Sequence, residues 1–236
     1  FHSIYGAQMI IKRLIGISLA IFASMAISQE TPEWQIADPA ELAVMCGVCH
    51  GPTMNGSIRR DGPALVGLSA EYIARQLRGF ADESRGYDDR DVLGKFMERM
   101  NGMLRNEETI VAVSEYIANT YAPNPEEYDA RPRTWLWQSE YGSFDLSGGD
   151  AESGQVLYAT TCFACHGADG EGLDAMYTDT LNHFSAEYLA RQLQYYRSGV
   201  RGAHPGDTYG ALMAPMAANL SDQDIADLVT YITGEL

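Results

Sequence analysis

The sequence predicts an all-α protein made of two tandem domains with the same fold. A shift of 116 residues superimposes Cys46 on Cys162 and segment 69–77 on segment 185–193, which differ at a single position. Both segments open with a serine that can cap a helix and with an acid in the first turn, which is typical of a helix start. A match of nine positions without a gap indicates a tandem duplication rather than shared helix composition.

Both copies contain the pattern C-x-x-C-H, which attaches a c-type haem. Two thiols on one helical turn can each add to a haem vinyl group, and the histidine that follows can bind the iron. A four-thiolate zinc site is the alternative, but it would join segments 116 residues apart and has no need of the histidines. A disulfide framework does not suit four cysteines in 236 residues. The two covalent haem c groups are therefore assigned to Cys46, Cys49, His50, Cys162, Cys165 and His166.

Helix starts in the first copy can be located from its capping residues. Asp38 followed by Pro39 opens a helix that runs into Cys46, and Ser69 opens the repeated segment. Asn106 opens a last helix that Pro123 closes. The charged stretch 79–94 is predicted to be a loop.

Methionine is the candidate for the second iron ligand, because thioether sulfur stabilises ferrous iron and raises the potential. Met97 and Met213 are preferred, since they match between the copies and are expected on the loop before each C-terminal helix. Met100 and Met216 also match, so position alone does not choose between the pairs, and core packing is the commonest use of methionine. Met103 has no counterpart and is expected in the core.

The second copy begins at Asp150, whose helix is predicted to run towards Cys162. Its two extra histidines, His183 and His204, are alternative iron ligands for the second haem, but neither has a match in the first copy, so both are expected at the surface or in hydrogen bonds. Prolines stiffen the linker between the copies, and Trp135 and Trp137 are expected to pack it against a domain or to form a docking surface. The predicted segments are a leader at 1–28, domains at 29–122 and 148–236, and the linker at 123–147.

The leader resembles an export signal. Lys12 and Arg13 precede a 14-residue, largely apolar run at 14–27, and a small-x-small site precedes Gln29. A membrane span needs about 20 such residues, so a run of 14 favours a cleaved signal. An uncleaved anchor is the alternative. Export to the periplasm agrees with the cysteines, because c-type haem is attached outside the cytoplasm.

The formal charge of the chain is -16, from 32 acidic and 16 basic side chains. Such a surface disfavours nucleic acid and anionic lipid. We therefore expect redox protein partners with a basic docking face. Membrane contact is expected only through a retained N-terminal segment.

From about Ala40 to its C-terminus the chain resembles the dihaem cytochromes c4. The matching elements are segment 62–68, the paired helices at 69–77 and 185–193, and the turn at 220–225. The resemblance implies two cytochrome c folds in pseudo-twofold arrangement, with electron transfer in the periplasm, often to a terminal oxidase. It also implies that the carbonyl of Pro63 orients His50.

Two departures from that family carry consequences. The second copy has Asp179 where Pro63 would align, so His166 is expected to be held differently and the two potentials to differ. The linker is also longer than is usual in that family.

The expected role is an electron carrier and not an enzyme. The alternatives are a haem subunit of a larger dehydrogenase and a dihaem peroxidase, which would need one open iron position.

Overall fold

The computed structural model describes residues 38–104, 106–128 and 145–236, which belong to one compact unit. The predictions of a leader at 1–28 and of packing by Trp135 and Trp137 lie outside the described residues. Every regular element in the described ranges is helical, apart from an isolated bridge between Ser57 and Gly62. The predicted all-α fold is confirmed.

Nine α-helices are found in the described residues, four in the first copy and five in the second. Those of the first copy are α1 (Pro39–His50), α2 (Ala70–Ala81), α3 (Val92–Asn101) and α4 (Glu107–Thr120). Those of the second copy are α5 (Ala151–Leu157), α6 (Phe163–His166), α7 (Ala186–Arg197), α8 (Thr208–Ala217) and α9 (Asp222–Glu235). A π-helical turn at Tyr158–Cys162 joins α5 to α6, and short 3₁₀ turns lie at Pro125–Glu127 and Asp174–Met176.

The helix starts predicted from capping residues are confirmed. Asp38 accepts a hydrogen bond from the backbone N–H of Ala40, and the Ser69 hydroxyl accepts one from the N–H of Tyr72. Asn106 caps α4 in the same way. Each cap satisfies a backbone donor that has no partner inside the first turn of its helix.

The loop predicted for 79–94 is shorter than expected, and the methionine segment is helical. α2 continues to Ala81 and α3 begins at Val92, so Met97 lies on a helix; Met213 likewise lies on α8. The prediction that both methionines lie on loops was wrong. Two helix caps that were not predicted explain why these segments are helical. The carboxylates of Asp91 and Asp207 each accept a hydrogen bond from the N–H three residues further on, at 2.8 Å.

The two copies pack their helices in the same way. α4 packs against α1 and α2 in the first copy, and α9 packs against α5 and α7 in the second. Each copy has its own apolar core, and Phe184 packs against both. None of the helices in the described ranges is long and apolar enough to cross a bilayer.

Polar side chains at the junction between the copies repeat with the same offset of 116. Arg85 donates to the Oε1 of Gln76, and Arg201 donates to that of Gln192, both at 2.6 Å. Two further bonds cross the junction, from Arg85 to the Tyr188 hydroxyl at 3.2 Å and from Arg201 to Gln76 at 3.3 Å. Each arginine thus donates to the glutamine of its own copy and to a side chain of the other copy, as expected when two copies of one fold face each other across a pseudo-twofold axis.

Candidate haem sites

The two C-x-x-C-H motifs open on separate cavities with apolar walls. Cys46, Cys49 and His50 line a cavity of about 170 Å³ in the first copy. The matching residues of the second copy line a cavity of about 500 Å³, a size typical of cofactor pockets. In each motif the two cysteines are three positions apart on one turn, so both thiols face the same side.

His50 is held by the loop that follows its motif. Its Nδ1 lies 2.8 Å from the carbonyl oxygen of Pro63, and since a carbonyl can only accept, Nδ1 carries the proton and Nε2 keeps a free lone pair. Burial lowers the pKa of His50, which favours the neutral imidazole that binds iron. The predicted role of Pro63 agrees with this geometry. Gly62 permits the close approach, because a Cβ there would lie 2.1 Å from the carbonyl oxygen of Cys49.

His166 has no such support. Its Nδ1 is buried without a hydrogen-bond partner among the described residues, and burial alone lowers its pKa. Asp179, at the position of Pro63, turns its carboxylate to the first copy, where the backbone N–H and the hydroxyl of Ser69 donate to it. The two proximal histidines are therefore held differently, as the sequence comparison of the copies predicts.

Both candidate methionines of each copy reach the cavity. Met97 and Met100 line the first cavity, and Met213 and Met216 line the second. Met97 also packs against the first core, and Met213 is less exposed than Met216. The choice of Met97 and Met213 as ligands stays a prediction. Met103 is 39% exposed, so its predicted place in the core was wrong; it lies beyond the last turn of α3.

The remaining histidines of the second copy are used for packing and hydrogen bonds. His183 contacts Gly67 of the first copy. His204 accepts a bond from the N–H of Gly206 and packs on Tyr87, with ring centroids 5.2 Å apart. Neither of them lines a haem cavity.

The residues present fit two c-type haems. All four cysteines are free thiols, and no group of three or more His, Cys, Asp or Glu in the described ranges could hold a metal ion, so the thiolates do not converge as a zinc site requires. Each cavity instead offers two thiols, a neutral imidazole and a thioether. The buried Nε atoms of Arg85 and Arg201 have no partner among the described residues, and both guanidinium groups line the second cavity, where porphyrin carboxylates could meet them.

This arginine cluster was not predicted from the sequence. A signal for it is present in the repeat, because Arg85 and Gln76 recur as Arg201 and Gln192. A polar pair that persists in both copies indicates a shared buried contact.

Comparisons with known proteins agree with this chemistry. A family model described as Cytochrome c matches residues 151–234. Cytochrome c4 of Azotobacter vinelandii is 30% identical over 195 residues, which cover 81% of this chain and 85% of the relative. Cytochrome c-554(548) of Halomonas halodenitrificans is 45% identical over 87 residues, 37% of this chain and 98% of the relative. A thiosulfate dehydrogenase electron acceptor of Stutzerimonas stutzeri is 28% identical over 195 residues, 83% of this chain and 80% of the relative.

Solved structures show the same architecture. Reduced recombinant cytochrome c4 from Pseudomonas stutzeri superimposes with a TM-score of 0.58 at 28% identity, covering 84% of this chain and 96% of that one. A thiosulfate dehydrogenase from Marichromatium purpuratum superimposes with a TM-score of 0.54 at 25% identity, covering 80% of this chain but 36% of that one. The resemblance expected from the motifs and the duplication is thus confirmed, and the chain belongs to the cytochrome c4 family.

Proposed function

We propose that this chain carries single electrons between redox proteins of the periplasm, with one haem c held in each copy. The observation that supports this most is the pair of cavities, each with two cysteine thiols and a histidine whose pKa is lowered by burial of its ring. When bound, each iron porphyrin supplies a one-electron couple. Electron transfer needs no general acid, base or nucleophile, so the protein's task is to hold the group and control its surroundings.

Each part of the site has a definite task in this proposal. The thiols of Cys46, Cys49, Cys162 and Cys165 would form the thioether links, which keep the cofactor in a small domain. His50 and His166 would hold the iron through Nε2, and Met97 and Met213 would supply the thioether ligands. The apolar walls exclude water and keep the surroundings of the iron similar in both oxidation states.

The ligand set can be tested with four substitutions in two matched pairs. Met97→Ala and Met213→Ala are each expected to remove about half of the near-infrared sulfur-to-iron absorption of the oxidised protein, because each would leave one iron without thioether. Met100→Ala and Met216→Ala are the controls and should keep the band. Loss of the band in the controls instead would assign the ligands to the second pair.

The partners of a cytochrome c4 are redox proteins, and we propose that those of this chain present a basic docking face. The formal charge of -16 supports this, since unlike charges steer two proteins together. The rate of electron transfer with a basic partner should fall as ionic strength rises. A rate that does not change with salt would contradict the proposal.

A second candidate function is a haem subunit bound within a dehydrogenase. It is favoured by the electron acceptors of thiosulfate dehydrogenase among the relatives, and by the thiosulfate dehydrogenase structure, of which this chain spans about a third. Affinity purification of the chain from its own host distinguishes the two. A free carrier should elute alone, whereas a subunit should bring one dehydrogenase polypeptide at a stoichiometric ratio.

A further inference from the structure

The two copies differ sharply in charge. Residues 38–128 contain 15 acidic and 9 basic side chains, and residues 145–236 contain 13 acidic and 3 basic ones. The overall acidity of the chain is therefore not shared equally between its two sites. A partner that approaches under electrostatic attraction meets different fields at the two ends.

None of the three cations in segment 145–236, which the structure describes throughout, is free at the surface. Arg191 is 4% exposed and pairs with Asp61 of the first copy. Arg201 is buried at the junction between the copies. Arg197 donates to the carboxylate of Asp222 at 2.6 Å and to the carbonyl of Leu220. The outer surface of the second copy thus presents carboxylates and no uncompensated positive charge.

The helices α3 and α8, which lie beside the two cavities, differ in charge in the same sense. The edge of the second cavity still has one cation from the first copy nearby, because the guanidinium of Arg75 lies over the ring of Tyr209, 4.6 Å from its centroid. In the first copy, Arg60 lines the cavity, and α3 carries Arg99 and Lys95, the latter paired with Glu98 at 3.3 Å. The repeat replaces these three positions with uncharged residues, and α8 has no charged residue at all. The replacements are Met176, Ala211 and Pro215.

Five largely apolar side chains at the edge of the second cavity are exposed to solvent, and we refer to them as the second-site rim. Each also lines the cavity. The first cavity has exposed apolar lining residues as well, at Met45, Phe96 and Met103, so charge is what distinguishes the two sites. Exposed apolar patches next to a functional site mark interaction surfaces, particularly when polar residues surround them. The rim consists of Met176 (42% exposed), Tyr177 (58%), Tyr209 (40%), Leu212 (66%) and Met216 (46%).

We propose that the basic redox partner docks on the second-site rim and not on the first copy. This rests on the electron-transfer function proposed above and adds where transfer takes place. The occupant is a redox protein whose cofactor edge has an apolar centre ringed by lysines. Its apolar centre packs on the rim, and its lysines face the acidic surface of the second copy. One electron then passes from the reduced partner to this protein, and no bond is made or broken.

The test uses the full-length haem-loaded protein and, as probe, a small reduced monohaem cytochrome c with a lysine-rich edge. Stopped-flow absorbance gives the second-order rate constant at low and high ionic strength. Ala211→Lys introduces the first copy's lysine on α8, and Val44→Lys adds the same charge at an exposed position beside the first copy's cysteines. Because both variants have the same net charge, any difference between them is local.

At low ionic strength we expect Ala211→Lys to slow the reaction about threefold or more, and Val44→Lys by less than about twofold. The difference should disappear at high salt, where charges are screened. Equal slowing by the two variants, or stronger slowing by Val44→Lys, would overturn the proposal.

A third variant tests the apolar part of the contact. Leu212→Ser should lower the rate constant at both ionic strengths, because apolar burial is not screened by salt. Haem content and both midpoint potentials must match the wild type, which separates a docking effect from a change in the cofactor. If the wild type transfers electrons but Leu212→Ser leaves the rate unaltered, the rim is not the docking site. If the wild type accepts no electron from the probe, the carrier function itself fails and this proposal with it.

Discussion

The carboxylate of Asp179 in the second copy accepts a hydrogen bond from the backbone N–H of Ser69 in the first, at 2.9 Å. Ser69 is the N-cap of α2, and in a capping box this N–H is served by an acid three residues further along the same helix. In α2 the residue three positions after Ser69 is Tyr72, which has no carboxylate. Asp179 of the other copy accepts the bond from the Ser69 N–H instead. The matching Pro63 instead offers its carbonyl to His50. The same repeat position thus has two roles. Pro63 accepts from the histidine of its own copy, whereas Asp179 accepts from a helix cap of the other copy.

The two haems should therefore differ in potential. A hydrogen bond from Nδ1 of His50 to a carbonyl makes the imidazole a stronger donor, which stabilises ferric iron and lowers the first potential. One neutral hydrogen bond of about 1 kcal/mol corresponds to roughly 40 mV for a one-electron couple. A spectroscopic redox titration should resolve two midpoints, and one common midpoint would contradict this.

Removing the Asp179 side chain should loosen the junction between the copies. Asp179→Ala leaves the Ser69 N–H without its acceptor, so we expect the free energy of unfolding to fall by about 1 kcal/mol. Asp179→Asn keeps an acceptor and should recover part of the loss. Asp174→Ala, an exposed acid nearby, should have little effect on the thermal midpoint. Equal midpoints for all three variants would show that the contact contributes nothing.

The buried pair of Arg191 and Asp61 should matter more than a surface pair. Asp61 has a φ of 53°, which asparagine tolerates, so Asp61→Asn removes the charge without straining the backbone. It leaves Arg191 buried without its carboxylate and should cost about 3 kcal/mol. Asp88→Asn breaks the exposed pair with Arg90 and should cost less than about 1 kcal/mol. Denaturant unfolding of the two variants gives the comparison, and similar losses would mean that burial is not decisive.

The capping box of α9 should make part of the stability depend on pH. Hydrogen bonds from the hydroxyl and N–H of Ser221 lower the pKa of Asp224 below its usual value. A lowered pKa in the folded state stabilises the protein above the unfolded value of about 3.9 and stops doing so as pH falls through the folded value. Asp224→Ala should thus be about 1 kcal/mol less stable than wild type at pH 7. The gap should narrow below about pH 4, and a constant gap down to pH 3 would contradict the argument.

Much of the site could be predicted because its chemistry is local. The thiols and the histidine of each motif are neighbours in the chain, and caps such as Ser69 act on a backbone group three residues away. The helical position of Met97 was missed because the Asp91 cap lies in a stretch whose charge and glycines suggested a loop. The exposure of Met103 was missed since residue type alone says little about burial at a helix end.

The sequence by itself determined the cofactor, the duplication and the starts of the capped helices, because each depends on residues close together in the chain or on an exact repeat. Only the tertiary structure decided that Arg85 and Arg201 each donate to a side chain of the other copy, that Asp179 accepts from Ser69, and that apolar side chains are exposed at the edge of the second site. These contacts join residues about 100 positions apart. Their existence depends on how two halves of the same fold pack, and the positions where the halves differ decide which side chains reach across.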